Sequence, residues 1–217
     1  MTGRVRPFTL VIAAPSGAGK TSLARALVEK WADVVFSLSA TTRPPRPGEL
    51  AGIDYEFVDD AGFERLLADD ELLEWAMVHG RRYGTLRRGV QDALADGRTV
   101  VLDIDIQGAR KVRAVLPEAV LVFILPPSVA EMERRLCGRA SGEDSVQLAT
   151  RLRTARAELE AVKEFDYVVV NDDFDLALTK IEAIITAERT CVARLPELGD
   201  KLEEMRRDID VTLERSY

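Results

Sequence analysis

Along the chain, short runs of almost wholly apolar residues are each followed by a stretch with helical spacing. The runs lie at residues 8–13, 99–104, 120–125 and 167–170, the last reading Tyr167-Val168-Val169-Val170. Polar side chains are sparse on both faces of these runs, as in strands buried on both sides. Between the first two, Leu23, Ala26 and Leu27 recur on one side of a helix predicted over residues 20–30. Strand and helix in alternation predict an α/β fold, a parallel sheet covered by helices on both faces.

Two segments interrupt the alternation. Residues 39–88 mix short polar strands with Gly and Pro turns and read as a small inserted lobe. Residues 128–156 are helical and rich in arginine, with a break at Ala140-Ser141-Gly142, and read as a mobile lid. The stretches 1–38, 89–127 and 157–193 then form one core. Residues 194–217 are highly charged with spaced Leu, Met and Ile; they predict a helix whose single apolar stripe packs on the body.

A length of 217 residues suits one domain with insertions. With 47% hydrophobic and 31% charged residues, the composition is that of an ordinary globular chain. No apolar run nears the roughly 20 residues that span a bilayer, so no membrane partner is expected. The N-terminus runs straight into a strand and has no signal-peptide profile. Cys137 and Cys191 are too few for a disulfide framework and lack metal-ligand spacing, which leads us to expect reduced thiols in a cytoplasmic protein. The formal net charge of −7 argues against nonspecific nucleic-acid binding. Local clusters of arginine can still bind anions.

The first predicted strand breaks into Ala14-Pro15-Ser16-Gly17-Ala18-Gly19-Lys20-Thr21, with Ser22 next. This is the phosphate-loop pattern with Ala14 in place of its first glycine. Strand, glycine-rich loop and helix are the context that motif requires, so the fold class narrows to a three-layer phosphate-loop NTPase. Backbone N–H groups around Gly17 to Lys20 can converge on phosphate oxygens at the positive end of the helix. Lys20 offers a point charge for the β and γ phosphates of ATP, and the Thr21 hydroxyl can ligate Mg²⁺.

A second candidate phosphate grip follows, Arg43 and Arg46 on the proline-stiffened loop Arg43-Pro44-Pro45-Arg46-Pro47-Gly48-Glu49. Together with Ser39, Tyr55, Glu74-Trp75-Ala76, Tyr83-Gly84-Thr85, Asp103-Ile104-Asp105-Ile106-Gln107-Gly108, Arg135-Leu136-Cys137-Gly138-Arg139 and Asn171-Asp172-Asp173, it resembles guanylate kinases. The resemblance runs in order from about Phe8 to about Glu188. It implies transfer of a phosphoryl group from ATP to GMP or dGMP, with residues 39–88 as the GMP-binding lobe.

On that resemblance, Arg43 and Arg46 hold the GMP phosphate, since guanidinium forks match phosphate oxygens. Tyr55 and Tyr83 add hydroxyl donors, and Glu49 belongs to the same substrate site. Glu74 accepts from guanine N1–H and the 2-amino group, a donor pair that adenine lacks; such discrimination reaches ~10⁴-fold. Ser39, Thr85 and one of Asp103 or Asp105 complete the base site. The residues leave open which acid faces guanine and which the metal, and Asp103 with Thr21 is the expected metal pair. Arg46, Arg139 and Arg151 are the expected catalytic arginines beside Lys20, with Arg135 in support, and Asn171 lies on the adenine side.

The acceptor phosphate has a second pKa near 6 and is already mostly anionic, so no general base is needed and His79 is expected to be noncatalytic. Two departures from the family stand out. Arg81, Arg82, Arg87 and Arg88 make one loop unusually basic, and the stretch from Arg139 to Arg151 is one residue longer than the family spacing. Two other readings compete: a guanylate-kinase-like binding module without catalysis, and a kinase for another phosphorylated acceptor. Monomer and homo-oligomer both remain open.

Overall fold

A computed structural model describes residues 5–78, 80–139 and 145–215, the side chains of 136–149 and 151 excepted. Its centre is a five-stranded sheet built from β1 (Thr9–Ala13), β2 (Val34–Phe36), β7 (Thr99–Asp103), β8 (Val120–Leu125) and β9 (Tyr167–Val170), in the order β2-β7-β1-β8-β9. Every pairing in it is parallel, with Leu10 level with Val101 on one side and Val120 on the other.

Alternate residues of these strands feed two separate cores. Leu10, Ile12, Val122 and Ile124 pack with Leu23 and Leu27 of α1 (Lys20–Lys30) and with Ile181 and Ile185 of α7 (Phe174–Arg189). Val11, Leu102, Leu121 and Phe123 face the other way. They meet Val90 of α3 (Arg87–Ala95) and Ala109 and Val112 of α4 (Ile106–Val115). Three layers result because a strand that is apolar on both faces must be covered twice.

A second sheet has the order β4-β3-β6-β5, from β3 (Ser39–Thr41), β4 (Glu56–Phe57), β5 (Leu72–Val78) and β6 (Arg81–Leu86). Here β3 pairs antiparallel with β6, and β6 antiparallel with β5. Helix α2 (Asp60–Ala68) seats the fully buried Phe63 against Ala40 and Leu72. Asp59 caps α2 by accepting from the Gly62 amide at 2.6 Å. The basic stretch expected to be a loop is instead the strand β6 and the start of α3 (Arg87–Ala95), where Arg82 meets Glu64 at 2.5 Å and Arg87 meets Asp70 at 2.8 Å.

Helices α5 (Val129–Arg139) and α6 (Ser145–Glu160) follow β8. The chain ends in α8 (Leu198–Arg215), which has no buried residue. The expected packing of its stripe on the body is therefore corrected: Leu202, Met205 and Ile209 stand exposed, and no element of the body among the described residues packs extensively against α8. The last enclosed side chain before it is Arg194, 7% exposed. Its guanidinium lies 4.4 Å over the Phe8 ring, pairs with Glu188 at 3.0 Å and donates to the Glu118 carbonyl at 2.9 Å. Arg194→Ala should lower stability by about 3 kcal/mol, because it leaves Glu188 short of its charge partner and Phe8 uncovered. Urea unfolding of the two proteins measures this.

Candidate active site

The phosphate loop leaves β1 at its carboxyl end, in the middle of the sheet, where open α/β sheets place ligands. Gly17 and Gly19 take φ of 86° and 89°, values that only glycine adopts without strain. Gly19 caps α1 with no side chain, so the first amides of that helix keep no internal partner. The loop is held by a carbonyl instead. The Ala18 carbonyl accepts from Asn171 Nδ2 at 2.7 Å, and from Arg135 Nη1 at 3.4 Å. A Cβ on Gly19 would lie 2.4 Å from that Asn171 amide, so Gly19 is fixed by space as well as by φ. Arg135 also donates to the Asn171 carbonyl at 3.2 Å. Both residues expected to contact ATP thus clasp the loop that faces it.

Lys20 forms an ion pair with Asp103, whose side chain is 4% exposed at the end of β7. Asp105, two residues on, caps α4 by accepting from the Gly108 amide at 2.9 Å. The two acids are therefore distinguished by local structure: one neutralises the loop lysine and the other starts a helix.

Across from the loop, the second sheet carries the acceptor-side residues. Arg43 forms a two-pronged pair with Glu49, both contacts at 2.9 Å, and its Nε donates to the Tyr83 hydroxyl at 3.2 Å. It lies 5.3 Å over the Tyr55 ring. Glu49 also accepts from the Arg46 amide at 2.7 Å, and the Arg43 guanidinium holds its carboxyl below the usual range. Arg46 itself is exposed. Burial pushes the Tyr55 hydroxyl up to about 12, so it stays a proton donor at neutral pH.

Glu74 is 6% exposed. A register shift between Leu72 and Glu74 sets its side chain against Thr85, whose hydroxyl donates to Oε1 at 2.7 Å and whose amide donates at 3.3 Å. Burial raises its pKa despite those donors. Gly108 makes the room: a Cβ there would lie 2.7 Å from Glu74 Oε2.

Lys20, Ser39, Tyr55, Glu74, Tyr83, Asp103 and Asp105 border one hollow, between the central sheet and the second sheet. An adjoining hollow is bordered by residues 14–21, Asp105 and Glu158. Ser22 is exposed on α1. The side chains of Arg139 and Arg151, and His79 as a whole, lie outside the described residues. Glu158 and Gly108 were not singled out in the sequence. Only spacing along α6 could have marked Glu158, one of the two carboxylates at the end of that helix.

The phosphate loop at the centre of a parallel sheet, opening on a second sheet with its own cations, defines a phosphate-loop kinase of the three-layer α/β class. A sequence profile of the guanylate kinase family matches residues 6–188. Guanylate kinase of Dechloromonas aromatica is 51% identical over 177 residues, 82% of this chain and 87% of that one. Guanylate kinase of Caulobacter vibrioides is 48% identical over 201 residues, 92% and 94% of the two chains. The crystal structure of guanylate kinase from Anaplasma phagocytophilum superposes with a TM-score of 0.80 at 33% identity, covering 94% of this chain and 97% of that one. The chain belongs to the guanylate kinase family.

Glu158 generates a prediction of its own. One of its carboxylate oxygens is buried without a hydrogen-bond partner among the described residues, and burial raises its pKa to about 7, with Asp105 adding to the shift and Lys20 opposing it. A carboxyl whose folded pKa is raised keeps its proton longer in the folded state, so stability falls as pH climbs from the usual carboxylate range through about 7. Glu158→Gln removes that slope. Its melting temperature should match the parent near pH 4 and exceed it at pH 8, as calorimetry at the two pH values measures.

Proposed function

We propose that this protein transfers the γ-phosphoryl group of ATP to GMP or dGMP, giving ADP and GDP or dGDP. The observation that carries this reading is the hollow shared by Lys20 and Asp103 of the phosphate-loop side and by Glu74, Tyr55 and Tyr83 of the second sheet. A donor phosphate and an acceptor nucleotide drawn to these two walls would face each other across it.

In this reading the chemistry is mostly charge management. The GMP phosphate is already a good nucleophile at neutral pH. Arg43 receives it in place of Glu49, whose two oxygens occupy the guanidinium fork as a phosphate would. Tyr55 and Tyr83 donate to the same group. Guanine N1–H and its 2-amino group supply donors to Glu74, offsetting the burial that raises its carboxyl pKa. Lys20 exchanges Asp103 for the β and γ oxygens of ATP, and the bare amides around Gly19 cradle the β phosphate. Arg46, Arg139 and Arg151 would then spread over the transferring group, and closure of residues 128–156 would exclude water.

A divalent metal fits the donor set, because Thr21, with its hydroxyl, borders the same hollow as the carboxylate residues Asp105 and Glu158. Mg²⁺ asks for one or two protein oxygens and completes its shell with phosphate and water. Thr21 would hold it, with Asp103 nearby once that acid is released from Lys20. When bound, the metal neutralises charge on the β and γ phosphates. The reaction fits a cytoplasmic setting, where ATP and Mg²⁺ are abundant.

ADP release from ATP and Mg²⁺, with GMP, AMP, UMP, dTMP or no acceptor in parallel, tests the proposal. Turnover with GMP and not with the others is expected. Activity with a different acceptor would keep the kinase and discard the guanine site, and tight GMP binding without turnover would point to a binding module. Lys20→Met should lower turnover by about 10³-fold or more, and wild-type turnover in that variant would sink the donor assignment. Glu74→Gln should lower kcat/KM for GMP by at least about 10²-fold. Lys163→Ala, at an exposed position, should leave it unchanged; equal effects of the two would remove Glu74 from the base site.

A further inference from the structure

A strand at the edge of a sheet leaves one side of its backbone without a ladder partner. β5 is such a strand: it ends the order β4-β3-β6-β5 and pairs only with β6 among the described residues. Helix α4, from the central three-layer body, packs on β5. There the Trp75 carbonyl accepts from Lys111 Nζ, and that ammonium stands over the Trp75 ring, 4.7 Å from its centroid. The same ring meets Phe63 of α2 edge-on, with the centroids 6.3 Å apart.

Glu74 is the residue before Trp75. Both Thr85 donors go to its Oε1, while its Oε2 lies toward Gly108, one turn before Lys111 on α4. Two successive residues of the strand thus meet one turn of the helix. Burial raises the Glu74 carboxyl pKa, Asp105 adds to the shift, and Lys111 opposes it. Thr85 fixes the carboxylate relative to β6. Its place relative to Asp103 and Asp105, which border the same hollow from the central sheet, depends on how β5 is held to α4.

We propose that Lys111 is a positioning residue for base selection: by tying the Trp75 carbonyl and ring to α4, it sets Glu74 where both guanine donors reach its carboxylate. The inference rests on the reading of Glu74 as the acceptor for guanine N1–H and the 2-amino group. Lys111 touches no nucleotide and acts through the strand. Two bonds to one carboxylate demand closer placement than one, so a small displacement of β5 weakens the second before the first. An exposed lysine that only covered an indole would add a little stability and leave the choice of base alone.

Calorimetric titration of the full chain with GMP and with inosine monophosphate, which lacks the 2-amino group, tests this. Lys111→Met keeps a flexible apolar chain over Trp75 and removes the donor and the charge. It should raise the Kd for GMP about tenfold and that for inosine monophosphate by less than about threefold, so the preference for GMP narrows. In turnover the loss should fall on KM for GMP, with KM for ATP as in the parent. Lys111→Arg, able to donate to the same carbonyl and stack on the same ring, should keep the parent's preference. Parent-like GMP binding by Lys111→Met would overturn the proposal while leaving the Glu74 reading intact. So would equal weakening of both nucleotides, which would make Lys111 a support for the lobe alone, or a loss in Lys111→Arg as large as in Lys111→Met. A parent that does not prefer GMP to inosine monophosphate would sink the Glu74 reading and this inference together.

Discussion

A loop that must keep its amides free for a ligand can be fixed only through its carbonyls. Here the Ala18 carbonyl is that handle, gripped by Asn171 from beyond β9 and by Arg135 from α5. The constraint reaches far. It needs glycine at position 19, where any side chain would strike Asn171. It needs β9 at the edge of the sheet, so that Asn171 emerges level with the loop. It also ties α5 to the loop, so a movement of that helix would be felt where the phosphates bind. A buried amide such as Asn171, with its Nδ2 spent on one carbonyl, is a rigid support rather than a flexible contact.

The cations of the site obey a second constraint, that charge in a half-buried hollow must be balanced before the substrate comes. Glu49 balances Arg43 and Asp103 balances Lys20. Each carboxylate both lowers the cost of burying its partner and keeps it in a geometry suited to phosphate. A ligand must then outcompete a resident anion. On the proposed reading, a dianionic phosphate with three oxygens would do so, whereas a carboxylate metabolite, offering no more than Glu49 already does, would gain little.

Much of this was legible in the sequence, and what was not shares a cause. The apolar runs of β1, β7, β8 and β9 were readable because strands buried on both faces carry an unbroken signal. Val34–Phe36 adds a fifth strand that only three residues announce, too few for any period to show. The phosphate loop was readable because backbone chemistry forces glycine at fixed steps. Glu158 was not, since its meaning comes from where the end of α6 lands beside Asp105 and Lys20. Asn171 was noticed for its place after a strand, but its grip on Ala18 depends on contacts 153 residues apart. The apolar stripe of α8 was visible too; that the body leaves it without a buried residue is a fact about the body, and no local pattern states it.

The central strand β1 precedes in the chain every element that encloses it. β1 lies between β7 and β8, and Phe8 at its start is roofed by Arg194, whose own carbonyl accepts from the Arg6 amide at 2.8 Å. A chain emerging from the ribosome therefore carries β1 unpaired until β7 and β8 have followed, and its glycine-rich loop without its clasp until Asn171 has been made. Such long-range closure is slow relative to local helix formation, and exposed strand edges are where nascent chains aggregate. A pause in translation before Asn171 would leave the nucleotide-binding loop without its clasp, and one before Arg194 would leave Phe8 without its roof.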